Sequence, residues 1–233
     1  MKNFILFYLF LGFFIVAHSQ NSGGVIGPTN DLSLYLNPMQ ADGLYVPLKK
    51  SGKPIIDESQ YLFSRWDENC QIFFHENKVF LIKNLNYNID SKKLESKIGK
   101  DSIFQFNENR IDFVKLNDKK YKFYNYNDSN QLYQELYVSK NIVFLKGYKL
   151  IFKEAFINPM TNAVISEAKS VIIEKYFCKV SDKEFMQFDL KKKVVLKLIE
   201  DKASQIEKFV SDSKLNYSSE KDLIKIFNYY DTL

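Results

Sequence analysis

Histidine, cysteine and glycine are scarce in this chain, and each scarcity removes a class of chemistry. Histidine occurs twice in 233 residues, at His18 and His75. Cysteine also occurs twice, at Cys70 and Cys178, more than a hundred residues apart. A zinc site needs three or four His, Cys or carboxylate ligands, and this set does not supply one. His75 has Phe74 and Glu76 as neighbours and no serine of the chain sits in a G-x-S-x-G elbow, so His75 reads as a surface turn residue, not the base of a triad. Glycine numbers eight, with one adjacent pair at Gly23-Gly24, and forms no phosphate-cradling loop. The turn acids Asp128, Asp182 and Asp231 stand alone, without the spaced oxygen ligands of a calcium loop. The residues call for no cofactor and no metal, and no catalytic set assembles from them. Past residue 17, no apolar run reaches the ~20 residues of a spanning helix.

What is present begins at the N-terminus. Lys2 precedes an apolar run over residues 4–17, and Ala17-His18-Ser19 places small residues at the positions a signal peptidase reads. The pattern predicts a secretory signal peptide over residues 1–19, cut after Ser19. At 14 residues the run is too short for a retained anchor, and no cysteine stands at the cut for lipidation. The expected product is exported, periplasmic or secreted, with no transmembrane helix after cleavage. Export permits a disulfide, so Cys70 and Cys178 are a candidate bridge, with two buried thiols as the equal alternative. The bridge requires Cα atoms within ~6 Å.

Charge is mild. The formal balance of +5 falls to +4 once Lys2 is removed with the leader. Lys191-Lys192-Lys193 with Lys197 forms the densest basic cluster, and acidic residues follow it closely, which reads as a solvated helix face and not a nucleic-acid stripe. The 21 Phe and 15 Tyr read as biased codon usage plus core packing, ahead of a dedicated aromatic binding surface.

Along the chain, residues 20–60 read as a flexible N-terminal segment. It is rich in Gly, Ser and Asn at first, then punctuated by turn residues that allow only short extended pieces near residues 43–48. Residues 61–189 read as an antiparallel β domain. Strand-length runs cover 70–74, 78–89, 92–98, 102–106, 110–116 and 121–126, separated by compact turns such as Asn117-Asp118. Leu94, Ser96 and Ile98 share a face against Glu95 and Lys97, and Ile111 shares one with Phe113. A second group covers 132–138, 142–152, 171–180 and 184–188, with a loop marked by Asn158-Pro159 and Thr161-Asn162. The period then switches. Val195, Leu198, Ile199, Ala203, Ile206, Phe209 and Val210 predict an amphipathic helix over 190–214. Ser219-Glu220-Lys221-Asp222 caps a second helix carrying Leu223, Ile226, Phe227 and Tyr230. The expected fold class is α+β: an antiparallel meander or roll-like sheet, with residues 190–233 as a two-helix hairpin packed on it.

Asp67-Glu68 beside Trp66 is the most suggestive acid pair for glycan hydrolysis, since a Trp ring can stack on a sugar. Packing at the start of the first long strand is the competing role for Trp66.

Five further segments carry a resemblance. Phe63-Ser64-Arg65-Trp66-Asp67, then Asn86-Tyr87-Asn88-Ile89-Asp90 with Leu94-Glu95, and the endings Leu190-Lys191-Lys192-Lys193 and Asn228-Tyr229-Tyr230, are similar to a group of exported β-rich proteins of unknown function common in Bacteroidetes. The resemblance covers residues 60–233 and implies no catalytic residues. The expected function is a non-enzymatic envelope protein that binds another envelope protein or component. The alternatives are a periplasmic carrier of an apolar ligand and a glycan hydrolase using paired carboxylates.

Overall fold

The computed structural model describes residues 43–47, 58–66, 70–75, 78–98, 102–181 and 183–233. The expected signal segment, most of residues 20–60, and Asp67, Glu68 and Asp182 lie outside the described residues.

Short polar residues set the turns. Asn84, Asn117, Asn127, Asp128 and Asn162 hold φ between 48° and 60°, a region their small side chains tolerate best among non-glycine residues. The strands are β1 Gly43–Pro47, β2 Cys70–Phe74, β3 Lys78–Ile82, β4 Leu85–Asn88, β5 Lys93–Ile98, β6 Ser102–Phe106, β7 Ile111–Leu116, β8 Lys119–Tyr126, β9 Ser129–Val138, β10 Ile142–Lys153, β11 Phe156–Ile157, β12 Val164–Ser166, β13 Lys169–Val180 and β14 Met186–Phe188. The helices are α1 Lys192–Leu198, α2 Ala203–Asp212 and α3 Glu220–Tyr230. Asn127-Asp128, both left-handed, join β8 to β9 in the turn geometry that matches strand twist.

The chain is α+β, and its sheets are antiparallel. One sheet runs β14-β13-β10-β9-β8-β7-β2-β3, and a smaller one runs β1-β6-β5-β4. The expected single meander is therefore divided. Residues 78–89, expected as one strand, break at Asn84, and the two halves join different sheets. Gly43–Pro47, within the segment expected to be flexible, is the edge strand beside β6.

Two clusters cover one face of the large sheet. Leu85, Tyr87, Leu94, Phe104 and Phe106 of the small sheet pack against Cys70, Ile72, Val114, Tyr121 and Leu132. The helices bring Val195, Ile206, Leu223, Ile226 and Phe227 onto Phe144 and Cys178. The expected helix over 190–214 is broken at Ile199, followed by a 3-10 turn at Glu200–Lys202. The break lets both apolar stripes, Val195 and Leu198 on one side and Ile206 and Val210 on the other, reach the same cluster. Ser219 caps α3 as its sequence indicates, accepting from the Asp222 backbone N–H.

Two strand faces differ from the alternation. A bulge opposite Phe73/Phe74 places Ile111 in the core, while Phe113 stacks on Phe73 with ring centroids 4.1 Å apart. Glu95, expected to face solvent, is buried, because the Tyr61 hydroxyl donates to its Oε2 (2.6 Å) and the Gln105 amide to its Oε1 (2.9 Å).

Asp231 ties α3 to the β9–β10 turn. Tyr137 Oη donates to its Oδ2 and Asn141 Nδ2 to its Oδ1. Burial works against ionisation here, but the hydrogen bonds from Ser139, Tyr137 and Asn141 outweigh it and hold the carboxyl below its ordinary pKa. A lowered native pKa means the unfolded chain binds protons first. The resulting stability is present above the unfolded Asp value of ~3.9 and is lost as pH falls through the folded value. Asp231→Asn is expected to lower stability near neutral pH and to matter less near pH ~3, as read by urea unfolding at the two pH values.

Candidate functional site

The large sheet forks. β8 and β9 pair over their whole shared length, and β10 and β13 pair over twelve positions, but β9 pairs with β10 only from Val143 to Lys146. Beyond Lys146 the two hairpins diverge, and Gly147 lies at the crotch. A methyl group at Gly147 would come within 2.7 Å of the Tyr133 ring and 2.8 Å of the Phe177 ring. The absent side chain is what allows the two rings to meet over the strand, with centroids 5.1 Å apart and planes at 82°. Tyr126 extends the aromatic floor, its ring centroid 5.0 Å from that of Phe177.

The opening between the hairpins is a cleft of about 430 Å³, within the range of small-molecule sites. Asp90, Lys92, Ser129 and Gln131 line one wall, and Lys149, Lys175 and Gln187 the other. Ser129 Oγ accepts from Lys92 Nζ (2.6 Å) and from Gln131 Nε2 (2.9 Å), which fixes three polar groups against one another. Three ammonium groups face one carboxylate, so the cleft is electropositive. Burial pushes the Tyr133 phenol up to about 12, and the neighbouring Tyr126 adds to the rise. That phenol stays protonated and can donate but not act as a base near neutral pH. The arrangement can stack a ring, hydrogen-bond hydroxyls and neutralise an anion.

His75, Trp66, the Lys191 to Lys193 cluster and the two cysteines lie elsewhere, and Asp67 and Glu68 are outside the described residues. His75 Nδ1 stands 3.4 Å from Asp112 Oδ1, with the His75 side chain about half exposed, and its Nε2 lies 3.0 Å from the Asn109 carbonyl oxygen. Trp66 packs its ring 4.5 Å from Tyr61, with the Lys97 ammonium 4.2 Å above it, which supports the packing role. Lys191 pairs with Asp189 and Lys192 with Glu207, as a solvated helix face does. The candidate disulfide does not form. Cys70 and Cys178 are buried thiols on β2 and β13, in different clusters and five strand positions apart across the sheet. Burial pushes the Cys178 thiol up to about 12, which makes it unreactive. Among the described residues no three His, Cys, Asp or Glu gather into a metal site.

The segments that carried the resemblance have a structural task. The Asn86 side chain donates to the Phe63 carbonyl and accepts from the Phe63 and Tyr87 N–H groups. Asn88 Oδ1 accepts from Asp90 and Ser91 to shape the β4–β5 turn. With Tyr61 on Glu95, these contacts clasp residues 58–66 onto the small sheet.

The cleft residues escaped sequence reading because their aromatics were assigned to composition and core. A signal existed: Gly147 interrupts a twelve-residue strand between two lysines, and an isolated strand glycine marks a close approach. No family model, no curated protein and no solved structure matches the chain.

Proposed function

We propose that this chain is an exported, non-enzymatic binding protein of the cell envelope, whose ligand is an acidic saccharide seated in the fork of the large sheet. The observation that carries the reading is the lining of the cleft: the half-buried Tyr126 ring, backed by the buried Tyr133 and Phe177, offers a surface for a sugar ring, and Lys92, Lys149 and Lys175 form a rim for its carboxylate or sulfate. Ser129, Gln131 and Gln187 supply partners for hydroxyls. A wholly apolar ligand would leave these ammonium and amide groups without water, so the mixed lining favours a sugar over the apolar cargo of a carrier. Export rests on the 1–19 pattern, with its apolar run, small residues before the cut and polar residues after it.

The test is calorimetric titration of the exported protein, its mass checked for loss of residues 1–19, with an oligoglucuronate and with a neutral oligoglucose of equal length. Binding of the acidic oligomer alone is expected, weakened about tenfold or more by Lys149→Gln with Lys175→Gln, since two charge-assisted contacts are removed. Equal affinity for both oligomers, or no binding of either, would remove this reading.

A further inference from the structure

Beyond the cleft, β10 and β13 leave the body as a two-stranded arm that continues into β11 and β12. Residues 152–157 and 159–169 are all exposed. Half of the large exposed apolar side chains among the described residues fall on this one projection: Phe152 (68%), Phe156, Ile157, Met160 (92%), Val164 and Ile165. Its turn is well built. Asn158 Oδ1 accepts from the Met160 and Thr161 N–H groups, and Asn162 takes the left-handed position. The projection is therefore a made structure that presents apolar groups to its surroundings, an arrangement that costs solvation unless something covers it.

Two features identify what covers it. Phe156 and Ile157 are consecutive in β11, and Val164 and Ile165 in β12, so each strand places one apolar residue on either face of the ribbon. A partner groove covers one face of a ribbon, whereas lipid surrounds both. The second feature is charge. In the β10–β13 register Gly147 opposes Lys175, Lys149 opposes Ile173, Ile151 opposes Val171 and Lys153 opposes Lys169. Opposed residues share a face, so one face of the arm carries four lysines, three β-branched residues and no carboxylate. Glu154 and Glu167 stand at the hinge between the two ribbons. The arm thus joins a cationic face to an apolar tip.

We propose that the β11–β12 hairpin inserts into the surface of an anionic lipid leaflet, with Lys153 and Lys169 against the headgroups. The open edges of the ribbon carry unpaired backbone groups, which hold insertion to the interfacial zone where water still reaches them. The proposal is independent of the saccharide reading, because Phe156, Met160, Lys153 and Lys169 do not line the cleft.

A solvatochromic dye on Met160→Cys reads insertion locally and is insensitive to the apolar run at residues 4–17; Cys70 and Cys178 are buried and escape labelling. Vesicles of phosphatidylcholine with phosphatidylglycerol are expected to blue-shift the dye at Met160→Cys and leave it unmoved at Lys208→Cys, on the exposed surface of α2. Lys153→Gln with Lys169→Gln should weaken binding to these vesicles by about tenfold and reduce its salt dependence. Phe156→Asp with Met160→Asp should abolish the association while oligoglucuronate binding persists. No shift at Met160→Cys, an equal shift at Lys208→Cys, or a shift given by soluble envelope proteins and not by pure vesicles would overturn the proposal.

Discussion

Phe144→Ala is expected to cost about 3–5 kcal/mol of folding stability, the range for emptying a fully packed aromatic site. Phe144 is completely buried on β10, where Tyr176, Phe188 and Phe227 surround its ring with centroids 5.3 to 6.0 Å away. Phe227 belongs to α3 and Phe188 to β14, so one side chain holds the helical layer, the edge strand and the central strand together. The ring neighbours come from α3, β13 and β14, so closing the space would require three elements to move, which places the expected cost toward the upper part of that range. Domains of this kind have ~5–15 kcal/mol in total, so the variant should unfold at a much lower urea concentration. Phe152→Ala on the same strand is the control. Its ring is 68% exposed, and a change below ~0.5 kcal/mol is expected. Equal costs at the two positions would show that the helical layer does not dock on β10 as described.

Gly147→Val is expected to act on stability and binding together. The first atom of any side chain would meet Tyr133 at 2.7 Å and Phe177 at 2.8 Å, and both contacts are with ring atoms of buried side chains. Tyr133 has Tyr124 and Phe177 edge-on to it, and Phe177 has Tyr126, so neither ring can turn aside without moving a third. Overpacking of this kind costs about 1–3 kcal/mol. The rings that must shift are the floor of the cleft, so oligoglucuronate affinity should fall by about tenfold or more even where the variant remains folded. Thermal unfolding and calorimetric titration of the same sample separate the two effects. Loss of stability with unchanged affinity would place the ligand elsewhere.

Much of the fold was legible locally. The strands β2, β5 and β6 and the meander from β7 to β10 follow the apolar runs and their turn residues, because alternation and left-handed Asn or Asp positions depend on neighbours in sequence alone. The Ser219 cap and the apolar stripe of α3 were equally visible, since capping is completed within one turn. The candidate site was not. Its floor draws on β8, β9, β10 and β13, and its walls on the β4–β5 turn, β9, β10, β13 and β14. Its lining residues are spread from Ile89 to Gln187, and no local pattern joins them.

By itself, then, the amino-acid order determined the α+β class, the positions of most strands and the apolar faces of the helices. These properties arise from period, turn chemistry and propensity, which act over a few residues. Tertiary structure alone decided that Asn84 sends consecutive strands into different sheets, that a bulge moves Phe113 out of the core, and that Ile199 breaks the first helix. It also decided that Glu95 is buried, that Cys70 and Cys178 stand too far across the sheet to bond, and that β9 parts from β10 at Gly147 to open the cleft. Each of those outcomes depends on which distant segment supplies the partner on a given face. Such pairings are settled by packing and hydrogen-bond satisfaction across the whole chain, and no local pattern records them.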